Sequence, residues 1–199
     1  MILTIAGYAY YLKWSRTTPP TLPSTPPFVS IMVPAHNEGI VIVKTVQALL
    51  ALDYPADRYE IIVINDNSSD NSADLLKALQ QLHPDRNLTV VNTDKTNGGK
   101  GKSNALNIGL QHARGSVISI YDADNTPEHD ALRYLVAELL SYDHYGAVIG
   151  KFRTRNKKRH RPHPFYQRGD PVVSVDGPGR TPVVVQTVHD SGNQLRHPA

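Results

Sequence analysis

Carboxylates follow one of the apolar runs of this sequence in a spacing that suits metal binding. Asp122 and Asp124 flank a single small residue directly after such a run. Two carboxylates so placed can share one Mg²⁺ or Mn²⁺, which usually binds one or two protein carboxylates together with substrate phosphates. Because Asp-x-Asp pairs are also common in solvated turns, the metal interpretation depends on a strand ending just before the pair.

A further carboxylate, Asp66, follows another apolar run. At the end of a strand such a residue can accept hydrogen bonds from a ribose or a base edge. Its alternative role is to cap the helix that we expect to begin near Ser72, and for Asp70 capping is the interpretation that we adopt. For Asp66 we expect contact with a ligand.

The third candidate is the basic, glycine-rich segment KTNGGKGK at 95–102. Its glycines allow close approach of the backbone to a ligand, and Lys100 or Lys102 could meet a phosphate. The spacing is not that of a P-loop, and a flexible turn is the alternative. The histidines, His36 included, are scattered, so we interpret them as surface residues and not as metal ligands.

Apolar, β-branched runs alternate with helical patterns between these candidates. Strands are predicted at Phe28–Pro34, Tyr59–Asn65, Leu88–Asn92, Ser116–Tyr121 and Ala147–Ile149. Helices are predicted at Glu38–Leu52, Ser72–Leu82, Lys102–Ala113 and from Pro127 onward. The alternation predicts an α/β fold, a mostly parallel sheet with helices on both faces. Ligands bind at the carboxyl ends of such strands, where the candidate residues fall.

The beginning of the chain differs from this body. Residues 1–16 hold an apolar, Tyr-rich run that ends in basic and aromatic residues and is too short to cross a bilayer. A partial transmembrane helix, a membrane-interface helix and an ordinary packing helix remain open, and the basic and aromatic flank favours membrane association. Residues 17–27 contain five prolines, which predict an extended linker.

Charge is divided unevenly along the chain. Residues 1–150 hold 11 Lys and Arg against 15 Asp and Glu, a net charge of −4, and residues 151–199 hold 10 against 3, a net charge of +7. The basic run at 151–161 is interpreted as a solvated cluster, so nucleic acid is not an expected partner, and a patch for nucleic acid or anionic lipid is the alternative. The absence of cysteine excludes disulfides, thiolate metal sites and a Cys nucleophile.

Four segments together resemble the family 2 glycosyltransferases. They are VSIMVPAHNE at 29–38, INDNSSD at 64–70, GKSNALN at 101–107 and DAD at 122–124. The likeness covers residues 28–155 and is strongest to membrane polysaccharide synthases of the poly-N-acetylglucosamine, hyaluronan and cellulose type. It implies a GT-A, Rossmann-like fold and inverting transfer from a nucleotide sugar, usually UDP-linked, to a polysaccharide. It also implies a cell-membrane location with the catalytic domain on the cytoplasmic side.

The resemblance also implies roles for particular residues. It assigns binding of the donor nucleotide to Pro34, Ala35, Asn37, Glu38, Asp66 and Lys102. It assigns the diphosphate and its Mg²⁺ or Mn²⁺ to Asp122 and Asp124. Asn67 departs from the pattern, because the family often has glycine at that position.

The acceptor half of the family's pattern is not found after residue 159. A general base is needed to deprotonate the acceptor hydroxyl, and neither the downstream acidic motif that supplies it nor the synthases' Gln/Arg-x-x-Arg-Trp motif is present. We therefore expect a GT-A domain incomplete on its C-terminal side, inactive alone. The alternative is a non-catalytic nucleotide-binding module that acts through partner proteins.

Residues 156–199 form a basic tail without periodicity, and we expect it to be disordered. A frameshift near Arg159 is one hypothesis for its origin. Reverse translation of residues 160–181, read one base later, can give a synthase-like continuation.

Overall fold

The computed structural model describes residues 21–141, 146–150 and 183–186. Its strands are β1 (Val29–Ala35), β2 (Tyr59–Asn65), β3 (Leu88–Asn92), β4 (Val117–Ile120), β5 (Ala147–Ile149) and β6 (Val183–Gln186). Its helices are α1 (Ile42–Leu50), α2 (Ser72–Leu82), α3 (Lys102–Leu110) and α4 (Ala131–Leu140), and a 3₁₀ turn covers Ala56–Arg58. The five predicted strands lie within one residue of β1 to β5.

The six strands form one sheet in the order β3-β2-β1-β4-β6-β5, and each neighbouring pair is parallel. In the pairing of β1 with β2, Val29 lies opposite Tyr59 and Ala35 opposite Asn65. The two strands therefore end side by side, and the loops that follow them leave the sheet at the same edge. The predicted α/β fold with a mostly parallel sheet is confirmed.

Helices cover both faces of the sheet because the residues of its central strands alternate between two apolar layers. Ile31 and Val33 of β1 belong to the larger layer, which includes side chains of α1, α2 and α4. Met32 belongs to the smaller layer with α3. A Cβ at Gly109 would lie 2.6 Å from Cδ1 of Ile64. Glycine in this helix therefore permits the close packing of α3 on the sheet.

Three helices are shorter than predicted. Helix α1 begins at Ile42 and not at Glu38, because the Gly39 amide donates to the carboxylate of Asp70 (3.0 Å) and holds the preceding residues in a loop. Helix α4 begins four residues after Pro127, because the carbonyl of His129 accepts the amide of Asp53 (2.7 Å) and not a helical partner. Helix α3 ends in a turn three residues before its predicted end. The first two deviations arise from tertiary hydrogen bonds.

Strand β6 lies inside the segment 156–199 that the sequence analysis expected to be disordered. It pairs with β4 and with β5, so that expectation is wrong for these four residues. Three consecutive valines, which have high strand propensity, account for the difference. The rest of that segment lies outside the described residues, and the frameshift stays a hypothesis.

The predicted membrane segment, residues 1–16, also lies outside the described residues. Residues 21–27 of the predicted linker contain neither helix nor strand. Within the three described ranges, no helix has both the length and the apolar character that crossing a membrane requires.

A buried carboxylate ties the strands together at the amino edge of the sheet. Glu60 is 2% exposed. Its Oε1 accepts the hydroxyl of Ser30 (2.6 Å) and the backbone amide of Arg114 (2.8 Å), and its Oε2 accepts the guanidinium of Arg114 (2.9 and 2.8 Å). Hydrogen bonds to both oxygens compensate the buried charge, so the role of this cluster is structural.

Candidate functional site

A cleft of about 570 Å³ opens at the carboxyl edge of the sheet. It lies among the segments that follow β1, β2, β3 and β4. Its lining residues are Pro34, Ala35, His36, Glu38, Asp66, Gly99, Gly101, Lys102, Ala105, Asp122, Ala123 and Asp124. Seven of the eight residues predicted from the sequence to bind nucleotide or metal are among them, and the eighth, Asn37, is not.

Asp66 is 5% exposed and joins the end of β2 to the loop after β3. Its Oδ1 accepts the hydroxyl of Thr93 (2.8 Å) and the backbone amide of Gly99 (2.8 Å). Asp66 therefore does not cap α2. Asp70 instead accepts the amide of Ser72, the first residue of that helix (3.0 Å), as expected. Sequence reasoning missed Thr93, although a hydroxyl directly after the third predicted strand was a usable signal.

Negative charge dominates the cleft, whose lining carries four carboxylates and one lysine. Burial raises the pKa of Glu38 above its usual value, and the carboxylates of Asp124 and Asp70 raise it further. Four carboxylates against one lysine give the cleft a net negative charge. The cleft therefore favours a cation.

Lys102 supplies the positive charge of the cleft and is the first residue of α3. Its Nζ donates to Oδ1 of Asp122. Gly101, which precedes it, has φ 92°, a value that favours glycine. Lys100, the other candidate in this segment, donates instead to the carbonyl of Thr96 (3.1 Å) and does not line the cleft.

The donor set of the cleft fits a hard divalent cation. Asp122 is half-buried and Asp124 is exposed, so oxygen ligands face space that water and phosphate can reach. Within the described residues, no group of three or more His, Asp or Glu side chains is placed to hold a metal ion, so a cation here would depend on two carboxylates with water or phosphate. An open site with two carboxylates is the type that Mg²⁺ or Mn²⁺ uses together with substrate phosphates.

Asn37 joins the loops after β1 and β2. Its side-chain Oδ1 accepts the backbone amides of Ser69 (2.8 Å) and Asp70 (3.3 Å). Its backbone amide donates to the hydroxyl of Ser68 (2.9 Å). Its φ of 57° lies in the left-handed region, which Asn adopts more readily than most residues. These contacts place its side chain between the two loops.

His36 lines the cleft, although the sequence analysis placed it on the surface without a site role. It is exposed, and its Nδ1 donates to the carbonyl of Asp66 (2.6 Å). Because Nδ1 is the donor, Nε2 is left to accept the side-chain amide of Asn37 (3.0 Å). This ring therefore connects the ends of β1 and β2 beside the cleft.

The departure at Asn67 from the resemblance has a conformational explanation. Asn67 has φ 52°, in the left-handed region where glycine is the usual residue and Asn the best-tolerated side chain. The loop after β2 therefore keeps its shape without the glycine.

Comparison with known proteins identifies the family. Residues 30–186 match the family model described as Glycosyl transferase family 2. The chain belongs to the family 2 glycosyltransferases, and its parallel sheet with flanking helices is the GT-A fold. The match extends beyond residue 155, where the sequence analysis ended the domain.

Two similar proteins illustrate the relationship. The chain is 44% identical over 158 residues to the probable glycosyltransferase YdaM of Bacillus subtilis (strain 168). This match covers 78% of the chain and 37% of the relative. It is 34% identical over 129 residues to the poly-beta-1,6-N-acetyl-D-glucosamine synthase of Staphylococcus epidermidis, covering 65% of this chain and 29% of the synthase. The chain thus spans about a third of the length of these curated relatives.

A solved structure has the same fold. It is that of the mannosyltransferase PcManGT from Pyrobaculum calidifontis in complex with GDP-Man and Mn²⁺, with a TM-score of 0.61 and 29% identity. The likeness covers 74% of this chain and 43% of that one.

Proposed function

We propose that this chain is the donor-binding part of an inverting glycosyltransferase, which moves a sugar from a UDP-linked donor to a growing polysaccharide with the help of Mg²⁺ or Mn²⁺. The observation that carries the proposal is the cleft at the carboxyl edge of the sheet. It brings together Asp66, from the loop after β2, Lys102, from the start of α3, and the Asp122–Asp124 pair, from the loop after β4. The mannosyltransferase that shares the fold was solved with a nucleotide sugar and a divalent metal, which supports the same ligand class here.

The nucleoside and the diphosphate of the donor would each have matching groups in the cleft. Asp66, whose carboxylate is fixed by Thr93 and Gly99, and Glu38 would accept hydrogen bonds from the nucleoside. Lys102 and the first amides of α3 would face the diphosphate, because a helix N-terminus favours anions. Asp122 and Asp124 would hold the metal.

The proposed reaction breaks the bond between C1 of the sugar and the diphosphate oxygen. The acceptor hydroxyl attacks C1 from the opposite face, its proton passes to a base, and the diphosphate leaves with the bonding electron pair. Asp122 and Asp124 would hold the Mg²⁺ or Mn²⁺, which when bound would neutralise charge on the departing diphosphate. Because no acceptor motif is found in the sequence, we expect the 199-residue chain to bind donor without elongating a polysaccharide.

The proposal includes attachment to the cytoplasmic side of a cell membrane. Its support is the apolar, Tyr-rich run of residues 1–16 with the basic and aromatic residues that follow it. The name of the staphylococcal relative supports a polysaccharide of N-acetylglucosamine as the acceptor class.

The test is calorimetric titration of UDP, UDP-N-acetylglucosamine, GDP and GDP-mannose into the full chain, with and without Mn²⁺. We expect Mn²⁺-dependent binding of the UDP compounds, reduced about tenfold or more in Asp122→Asn because a metal ligand is lost. Asp57→Asn is the matched control, since its side chain is 81% exposed outside the cleft. Absence of nucleotide binding by the folded chain contradicts the proposal. Metal-independent binding that survives Asp122→Asn favours the non-catalytic nucleotide-binding module.

A further inference from the structure

We propose that Lys102 is a built-in counter-ion of Asp122, which it releases when a nucleoside diphosphate binds, so that metal and nucleotide bind cooperatively. The inference rests on the proposed function and concerns the regulation of the same site. Its starting observation is the ion pair between Nζ of Lys102 and Oδ1 of Asp122. The carboxylate assigned to the metal is thereby already neutralised by a group of the protein.

The ion pair disfavours binding of a metal by itself. A divalent cation that uses Oδ1 of Asp122 has to displace the ammonium from a side chain that is only 22% exposed, and an ammonium left nearby repels a cation at either oxygen. Glu38 and Asp66 also line the cleft, and their carboxylates still attract cations. We therefore expect Mn²⁺ to bind the cleft in the absence of nucleotide, but with an affinity lowered by the competing lysine.

A diphosphate offers Lys102 a different partner. Lys102 begins α3, so a phosphate at this helix end lies within reach of both its ammonium and the first amides. The side chain of Lys102 is 46% exposed and its four-carbon stem is flexible. A Cβ at Gly101 would meet no atom within 4 Å, so the space beside the lysine is open.

The backbone can stay in place while the lysine moves. The amide of Gly99 donates to Oδ1 of Asp66 (2.8 Å), which anchors the glycine-rich segment to the end of β2. Only the ammonium then has to leave Asp122 for the diphosphate. The exchange frees the carboxylate oxygen for the metal without rearrangement of the loop.

Such an exchange couples the two ligands by a definite free energy. If UDP raises the affinity for Mn²⁺ by some factor, Mn²⁺ must raise the affinity for UDP by the same factor. Couplings of this kind typically amount to about 5- to 150-fold. Part of this factor comes from Lys102 and is lost with its charge.

The experiment measures Mn²⁺ binding from the electron paramagnetic resonance signal of free Mn²⁺, with and without saturating UDP. We compare the unaltered full chain with Lys102→Met, Lys102→Arg and Lys100→Met. For Lys102→Met we expect tighter binding of Mn²⁺ alone, by about fivefold, and a smaller enhancement by UDP. Lys102→Arg keeps the positive charge and should restore the coupling. Lys100→Met is the matched control, because Lys100 donates to the carbonyl of Thr96 outside the cleft.

The outcomes separate this inference from the proposed function. If Lys102→Met binds Mn²⁺ alone no more tightly than the unaltered chain while that chain binds UDP with Mn²⁺, the inference is wrong and the proposed function stands. If the folded, unaltered chain binds neither ligand, both fail. If Lys102→Met lowers the Tm and leaves Mn²⁺ binding and its enhancement by UDP unchanged, the role of Lys102 is structural and the inference is wrong.

Discussion

The ionised carboxylate of Glu38 lowers the stability of the folded chain at a position where we expect it to bind the donor. It is half-buried next to carboxylates of two other loops, and burial together with Asp124 and Asp70 raises its pKa. Ionised Glu38 is therefore less favourable in the folded chain than in the unfolded chain. Its contribution to stability is complete below its usual pKa near 4.5 and is lost as the pH rises through the raised value.

The corresponding prediction concerns Glu38→Gln in metal-free buffer. At pH 7 the variant should have the higher Tm, by about 1–2 °C, because it removes an ionised group that its surroundings disfavour while solvent screens part of the effect. The gain should vanish at pH 4, where Glu38 is protonated. Thermal unfolding at both pH values checks this, with Glu138→Gln, a half-buried glutamate on α4, as the matched control. A lower Tm at pH 7 contradicts the argument.

At the scale of elements, the cleft depends on how the loops after β1 and β2 are joined. Asn37 accepts amides of Ser69 and Asp70, and His36 donates to the carbonyl of Asp66. These contacts fix two loops whose residues are far apart in sequence. The resemblance to the family assigns Asn37 to nucleotide binding. Its contacts between the loops indicate a different role, which is to hold the two loops together.

Asn37→Gly distinguishes the two roles, because glycine keeps the left-handed backbone and removes only the side chain. If Asn37 joins the loops, we expect a loss of about 1 kcal/mol of stability and faster amide hydrogen exchange at Ser69 and Asp70 without nucleotide. Asn67→Gly is the matched control, since Asn67 also has a positive φ and its side chain makes no hydrogen bond among the described residues. Unchanged exchange with weakened UDP binding would indicate direct nucleotide contact instead.

The sequence was sufficient to predict strands β1 to β5 and most cleft residues, but not β6, and the reason is physical. Strands buried in a parallel sheet form continuous apolar runs, and polar residues directly after them must meet at one edge. The start of α1 was not predictable in this way, because it depends on the Gly39–Asp70 hydrogen bond across 31 positions. The contact of Asn37 with Ser69 and Asp70 was not predictable for the same reason, since these partners lie on another loop. Thr93 was missed although its position directly after a predicted strand was a usable signal.

At the scale of the whole molecule, the carboxyl edge and the amino edge of the sheet carry their charged residues in different ways. The carboxyl edge holds four carboxylates and a lysine in an open cleft. The amino edge holds one buried carboxylate, Glu60, whose two oxygens both accept hydrogen bonds. The carboxyl edge therefore keeps a net negative charge where we expect a ligand. At the amino edge, hydrogen bonds that stabilise the fold compensate the charge of Glu60.

This division predicts that stability and nucleotide binding can be changed separately. Glu60→Ala removes the acceptor of the Ser30 hydroxyl and of Arg114, so we expect a loss of about 2–3 kcal/mol and a fall in Tm of roughly 5–10 °C. Affinity for UDP with Mn²⁺, measured by calorimetry well below the Tm, should stay within about twofold, because Glu60 lies at the opposite edge from the cleft. Asp53→Ala is the control, because its exposed pair with Arg133 is worth under about 1 kcal/mol. A tenfold loss of affinity in folded Glu60→Ala would show that the amino edge also shapes the cleft.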